Sequence, residues 1–280
     1  GPPELPPVDS RAALDFKGGE TAALNRLQYY TWDSNCVWEY FETRNGMVGG
    51  DYSTKFSPWL ALGCLSPRKV YDEVGSYEKE WGSNKSTYWV VFELIWRDYF
   101  RFFAMKHGNK IFFPHGPSGD AQAQKQEADV LERWRAGRTG APLIDANMRE
   151  LLATGWMSNR GRQNVASYLV FDLQQDWRFG AAHFEALLLD YDVCSNWGNW
   201  VSAAGLTGGR INKFNIPKQS KDYDANGDYI RLWVPELKAV PNEHIHEPWR
   251  MSEAEQAQCG VRIGTDYPEP LATGAGKAGF

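Results

Sequence analysis

Residues 154–173, TGWMSNRGRQNVASYLVFDL, set four polar side chains, Asn159, Arg160, Arg162 and Gln163, directly before a run of core-forming residues. In a helix, Asn159 and Arg162 share one face, and Arg160 and Gln163 the adjacent one. The pattern is either a solvated helix end or the wall of a site that offers hydrogen bonds to a polar heterocycle. On both sides apolar residues recur at helical spacing, and strand signals are almost absent. Upstream, STYWVVFELIWRDYFRFFAMKHG (residues 86–108) gives about six turns, apolar nearly all round and so expected to be buried, closed by Gly108. SPWLALGCLSPRKVYDEV (residues 57–74) reads as a helix with Pro58 in its first turn, broken near Gly63 and restarted with Pro67 at its first position. ADVLERWRAG, PLIDANMRELLATG and GAAHFEALLLDYD add capped helices, and amphipathic spacing is read from Ser10 onward. The expected fold is a single, mainly α-helical domain over residues 10–249. Residues 1–9, GPPELPPVD, read as a Pro-rich linker or cut end, and residues 250–280 as a weakly structured tail.

A chain of 280 residues can bury a large core without disulfides or metals. Thirty basic against 35 acidic side chains, a net charge of -5, argue against coating nucleic acid along a uniformly basic surface but leave room for a local basic patch. Cys36, Cys64, Cys194 and Cys259 lie far apart without a CxxC pair, and read as buried or idle thiols in a reducing compartment. No apolar run approaches the ~20 residues of a membrane span, and no signal-peptide pattern opens the sequence, so a soluble protein is expected. Thirteen tryptophans, beside thirteen tyrosines and fourteen phenylalanines, exceed what a generic core requires. Their positions must separate packing from stacking or electron transfer.

Several clusters could carry chemistry. In DYSTKFSPW, the hydroxyls of Ser53, Thr54 and Ser57 and the Lys55 ammonium precede a helix, which makes a phosphate cradle or ordinary capping by Ser57. Glu93 and Arg97 stand one turn apart inside an apolar helix, either as an intrahelical ion pair or in contact with a ligand. LLLDYDVCSNWGNW adds Asp190 and Asp192, then Asn196, Trp197 and Trp200. No histidine lies near the two carboxylates, so hydrogen bonding to an imide N–H or a sugar hydroxyl suits them better than a metal. The five histidines lie outside these clusters and read as structural. Taken together, the clusters describe a large dinucleotide-like cofactor held by a helical domain.

The order and spacing of RNGMVGGDYSTKFSPWLALGCLSPR, FELIWRDYFRFF, GRTGAPLIDANMRELLATGWMSNRGRQNVASYLV, LLLDYDVCSNWGNWVSAAG, YDANGDYIRLWVPELKAVP and IHEPW resemble the flavin-binding helical domain of photolyases and cryptochromes. MSNRGRQNVAS and DVCSNWGNW resemble its DASH branch, and the similarity runs from Gly18 to about Trp249. The resemblance implies a U-shaped FAD with Tyr40, Ser53, Thr54, Lys55, Phe56 and Ser57 on the phosphate side, Glu93 beside adenine and substrate, and Arg97 on the cofactor side. It further implies Asn159 and Arg162 at the flavin, Asp190 paired with Arg162 at the ring edge, Asp192 at the polar edge, Ser195 nearby, and Asn196 facing flavin N5. Glu93, Asn159 and Trp96 are implied as catalytic, Arg44, Trp96, Arg160 and Gln163 as touching the DNA lesion or its backbone, and Trp200 and Trp177 as electron carriers. The implied reaction is blue-light-driven electron donation to a cyclobutane pyrimidine dimer flipped out of single-stranded or looped DNA.

Three features depart from the family pattern. The N-terminal α/β antenna domain is absent from the sequence, so a fragment or truncated derivative is expected. Gln124 stands where the family carries a surface tryptophan, Trp134 being its separate structural one, and Ser202 replaces an aromatic residue against the lesion. Two readings follow: a DASH-type photolyase, or a repurposed light sensor or architectural subunit with protein partners in place of the missing domain. A basic rim at Arg44 and Arg160 supports DNA, and an apolar patch there a protein partner. An intracellular location is expected, by analogy an organelle (chloroplast or mitochondrion), any transit peptide belonging to the missing segment.

Overall fold

A computed structural model describes residues 7–119, 124–209 and 211–276; residues 1–6 of the Pro-rich lead-in and 277–280 of the tail lie outside the described residues. Helix formation begins later than the apolar spacing suggests. Gly19 has φ 92, which a helix does not admit, and α1 (Glu20–Gln28) starts after it. The preceding residues Leu14 and Phe16 pack without helical structure. The short α2 (Tyr40–Thr43) and α3 (Ser57–Ala61) follow, and Pro67 opens α4 (Pro67–Trp81) as its spacing predicts. Asn84 and Thr87 form a reciprocal capping box at the start of α5 (Lys85–His107), which stops where Gly108 takes φ 54.

The second half runs through α6 (Ala128–Arg135), α7 (Pro142–Thr154), α8 (Asn159–Ser167), α9 (Trp177–Leu187), α10 (Val193–Ala203), α11 (Ile216–Tyr223), α12 (Asp228–Trp233) and α13 (Glu253–Cys259). Among the described residues the only extended pairings are two isolated bridges, so the chain is mainly helical. No described helix is long and apolar enough to cross a membrane. The four cysteines are free thiols, each partly exposed rather than buried.

Two apolar cores form. Residues of α1 to α4, with Tyr40, Phe56 and Val90, build the smaller one. Residues of α6 to α12 build the larger, around Trp134, Trp177 and Trp233. Helix α5 spans both, giving Val90 to the first and Phe103 to the second. Its apolar surface is not enclosed as expected: Tyr88, Ile95, Tyr99, Phe102 and Met105 are exposed, the last two at 66% and 73%. The stripe runs roughly 25 Å along the helix at 1.5 Å per residue.

The expected weak structure of residues 250–280 does not hold for residues 251–276. Ser252 and Glu255 cap α13, and Tyr267 is fully buried with its hydroxyl donating to Asp145 Oδ2 at 2.5 Å. Asp145 also accepts from Thr139 N, Thr139 Oγ1 and Gly140 N, while Leu271 N donates to Thr139 O. Met251, Val261 and Tyr267 of this segment are buried in the larger core, and Ile263, Leu271 and Ala272 pack against it partly buried.

Candidate functional site

The two cores leave a cavity of about 340 Å³ at their seam. Tyr40, Phe56 and Val90 of the smaller core face Met157, Phe184 and Trp200 of the larger one across it. Its polar lining comes from the loop before α3, the middle of α5, the start of α8 and the start of α10. The four side chains of residues 154–173 therefore divide: Asn159, Arg162 and Gln163 line the cavity, and Arg160 does not.

At one end stand Ser53, Thr54, Lys55, Phe56 and Ser57. Ser57 is the first residue of α3, and no side chain caps that helix, so the capping alternative is not realised. The loop is tied from behind by Arg26, a residue that sequence reasoning missed. Its guanidinium donates to the carbonyls of Gly50 (2.8 Å), Ser53 (3.1 Å) and Thr54 (3.1 Å) and to Asp51 Oδ1 (3.0 Å). Arg26 stands in the apolar stripe Ala23, Leu27, Tyr30 of the first helix, the same signal that singled out Glu93. Lys55 lines the cavity, but its amine is not offered there as the expected free cation. The residue is 2% exposed, and Nζ lies 3.2 Å from the Tyr52 ring centroid and donates to Ser53 Oγ at 3.3 Å. Burial, reinforced by Arg26, pulls its pKa down to about 6.

At the other end Ser158 caps α8 by accepting from Gly161 N, which sets the first turn of that helix against the cavity. Arg162 donates from Nε to Met157 O (3.0 Å) and from Nη2 to Asp190 Oδ2 (2.8 Å). The Asp190 side chain is 3% exposed, and its Oδ1 is buried without a partner. Asp192 caps α10 through Ser195 N, so the two carboxylates hold different groups rather than one ion. Asn196 donates its amide to Ala181 O, which leaves its carbonyl oxygen as the group it can present to the cavity. Trp156 was also missed: its indole lies between Lys55 Nζ (5.6 Å) and the Arg162 guanidinium (5.3 Å), joining the two ends.

Between them Glu93 and Arg97 project from α5 into the cavity. The intrahelical pair is not formed: Arg97 faces Asp98 at 3.8 Å, and Glu93 accepts from Trp89 Nε1 at 3.1 Å. Burial raises the Glu93 pKa, opposed by Arg44 and the Trp89 hydrogen bond. Three expected residues stand outside the lining. Trp96 is 42% exposed on α5 and stacks on Phe100. Arg160 bonds to Gln163 and Asn45 and lies 4.6 Å over the Tyr223 ring. Trp177 is fully buried and donates to Pro114 O. Trp200 does line the cavity.

A helical domain with a seam cavity, hydroxyls at one end and an arginine–carboxylate pair at the other, defines a cofactor-binding module. Residues 89–277 match the family model for the FAD binding domain of DNA photolyase. The chain is 60% identical over 265 residues to the cryptochrome DASH, chloroplastic/mitochondrial, of Ostreococcus tauri, covering 95% of this chain and 48% of that protein. It superposes on the Synechocystis sp. PCC6803 cryptochrome with a TM-score of 0.94 at 56% identity, over 96% of this chain and 56% of that one. An archaeal photolyase from Sulfolobus tokodaii, solved with two FAD molecules, matches with a TM-score of 0.70 at 29% identity, over 92% and 53%. The chain belongs to the photolyase/cryptochrome family as its helical FAD-binding domain, with similarity to DASH cryptochromes. FAD is the cofactor of this domain, and the chain spans about half the length of these relatives.

Proposed function

We propose that the seam cavity holds FAD and that the domain works as a DASH-type photolyase on pyrimidine dimers in single-stranded DNA. The observation that carries the reading is the unpartnered Asp190 Oδ1 beside Arg162, in the same cavity as the hydroxyl-bearing loop. A buried carboxylate oxygen lacks only a donor, and the imide N–H of a flavin supplies one. Ser53, Thr54 and Ser57 suit the diphosphate, with Tyr40 and Arg97 on the same side. Asp192 and Ser195 flank the ring edge, and the Asn196 carbonyl oxygen suits a flavin ring N–H.

Bound FAD supplies a light-absorbing one-electron donor. The side chains around it bind and orient. Glu93, with its raised pKa, is placed to share a proton with a pyrimidine carbonyl, and Asn159 and Gln163 offer amides beside it. Trp96, one turn from Glu93 on α5, presents an exposed ring on which a base can stack. Arg44 at the cavity and Arg160 outside it form a basic rim for DNA phosphates; burial and the neighbouring Arg44 both lower the Arg160 pKa.

The test is an absorption titration with FAD, followed by blue light, a thiol and a dimer-containing single-stranded oligonucleotide. Bleaching of the flavin with loss of dimers supports repair, and Glu93→Gln is expected to slow that loss per bound FAD. Bound flavin with dimers intact refutes repair. It then favours a second reading, a light sensor or architectural subunit whose protein partner covers the exposed stripe of α5. An organellar site of action fits the chloroplastic/mitochondrial relative, and import followed by fractionation tests it.

A further inference from the structure

We infer that Trp197 is the solvent-side end of the electron path serving the cavity, in place of position 124; this rests on the flavin reading above. Trp200, at the cavity wall, has two aromatic neighbours, Phe184 (5.1 Å) and Trp134 (6.3 Å). This route reaches no oxidisable ring beyond Trp134. Trp134 is fully buried, and the next ring beyond it is His183, whose Nε2 is buried without a partner.

A second route runs along α9 and α10. Trp197 precedes Trp200 by one turn of α10, which sets their Cβ atoms roughly 5–6 Å apart. Trp177 precedes Gly180 by one turn of α9, and the missing side chain of Gly180 admits the Trp200 ring, since a Cβ there would lie 2.2 Å from it. The Trp177 and Trp197 rings meet edge to face at 5.8 Å. Of these indoles Trp134, Trp177 and Trp200 are buried, whereas Trp197 is partly exposed and donates Nε1 to Glu185 Oε2 at 2.8 Å. Glu185 is itself exposed. Gln124 offers no oxidisable ring, and its Nε2 is buried without a partner.

Bound FAD, excited by light, would supply the acceptor for one electron from the Trp200 indole at the cavity wall. Trp177 and then Trp197 refill the inner ring, so the deficit comes to rest on Trp197. The indole cation there is a strong N–H acid, and its proton passes along the existing hydrogen bond to the Glu185 carboxylate, which hinders return of the electron. A thiol in solvent completes the cycle by giving Trp197 one hydrogen atom, and two sulfur radicals pair as a disulfide. Each turn moves one electron inward and leaves one proton outside.

The experiment follows indole radicals by transient absorption in FAD-loaded wild type, Trp197→Phe, Glu185→Gln and the double variant Trp197→Phe with Gln124→Trp, with FAD content measured for each. Trp197→Phe is expected to keep its FAD, shorten the radical lifetime at least tenfold and slow thiol-dependent photoreduction by a similar factor. Glu185→Gln is expected to form as much radical but to slow the cation-to-neutral step several-fold, and Gln124→Trp to restore the long lifetime. A wild-type lifetime in Trp197→Phe overturns the inference and leaves the flavin reading standing. FAD uptake without any indole radical overturns it too, and a protein that takes up no FAD overturns both.

Discussion

Replacing Arg26 with Met separates the cavity's phosphate end from the rest of the fold. The substitution keeps the stem among Ala23, Leu27 and Tyr30 and removes the guanidinium from the carbonyls of Gly50, Ser53 and Thr54. At a net ~1 kcal/mol per hydrogen bond the three together amount to about 3 kcal/mol. The Asp51 pair adds at most ~1 kcal/mol, because its carboxylate is half exposed. Water reaches part of the loop, so a loss of about 2–3 kcal/mol is expected in urea unfolding of the cofactor-free protein. The loop then no longer presents Ser53, Thr54 and Ser57 in one arrangement. FAD affinity is expected to fall at least tenfold, about 1.4 kcal/mol. Riboflavin, which lacks the diphosphate, serves as the internal control in the same fluorescence titration and is expected to weaken less than threefold. Equal weakening of both ligands would refute the reasoning, since Arg26 would then act only through global stability. Unchanged FAD affinity would refute the placement of the diphosphate.

Gly161→Ala sets a Cβ 1.8 Å from Asn147 Oδ1, so the start of α8 must shift; a loss of about 1–3 kcal/mol with weakened FAD binding is expected by thermal unfolding and titration. Lys55→Met tests the buried amine. Its folded pKa of about 6 lies below the unfolded 10.5, so the unfolded chain holds the extra proton between those values and wild-type stability rises with pH there. Met abolishes that rise, and cofactor-free Lys55→Met is expected to gain more over wild type at pH 7.5 than at pH 9.5. The slope difference is up to about 1.4 kcal/mol per pH unit, and parallel pH profiles would show that Lys55 keeps its proton. Tyr267→Phe removes the hydroxyl from Asp145 and leaves that carboxylate its three other donors. A loss of about 1–2 kcal/mol in urea is expected with FAD affinity unchanged, and an altered affinity would tie the C-terminal segment to the site.

Helix identity was legible wherever caps and period agreed, as at Pro67, Gly108 and Gly155. Gly155 is left-handed and closes α7 just before the residues that line the cavity. It failed where one local feature outweighed the period: Gly19 displaced the first helix, and scattered apolar side chains, Met251, Val261 and Tyr267 among them, anchored the tail on the larger core. Glu93 and Arg97 were legible because a charged group in an apolar stripe needs a partner, whereas Tyr40, Phe56, Ser195 and Arg44 came from the family resemblance alone. Direction was not legible. Lys55 and Arg160 sit in the expected motifs, but the Lys55 amine lies over the Tyr52 ring and the Arg160 guanidinium over the Tyr223 ring, outside the lining. The burial expected of α5 failed for a related reason: a helix that is apolar all round says how much surface it hides, and not whether its partner lies in the same stretch of chain.

The same two-core plan explains why the cavity lies where it does. Neither core contains residues from both halves of the chain apart from a few such as Met47, and α5 is the element that spans the two. Where the faces of the two cores would meet, polar groups line the gap: Asp190 with its one unpartnered oxygen, its partner Arg162, Glu93 and Arg97. Closing the seam against apolar side chains would leave the free Asp190 oxygen and the Glu93 oxygen not held by Trp89 without a donor, which is costly. A ligand with donors, acceptors and an aromatic ring satisfies them and adds contact to both cores at once. FAD binding is therefore coupled to the stability of the whole domain by mass action.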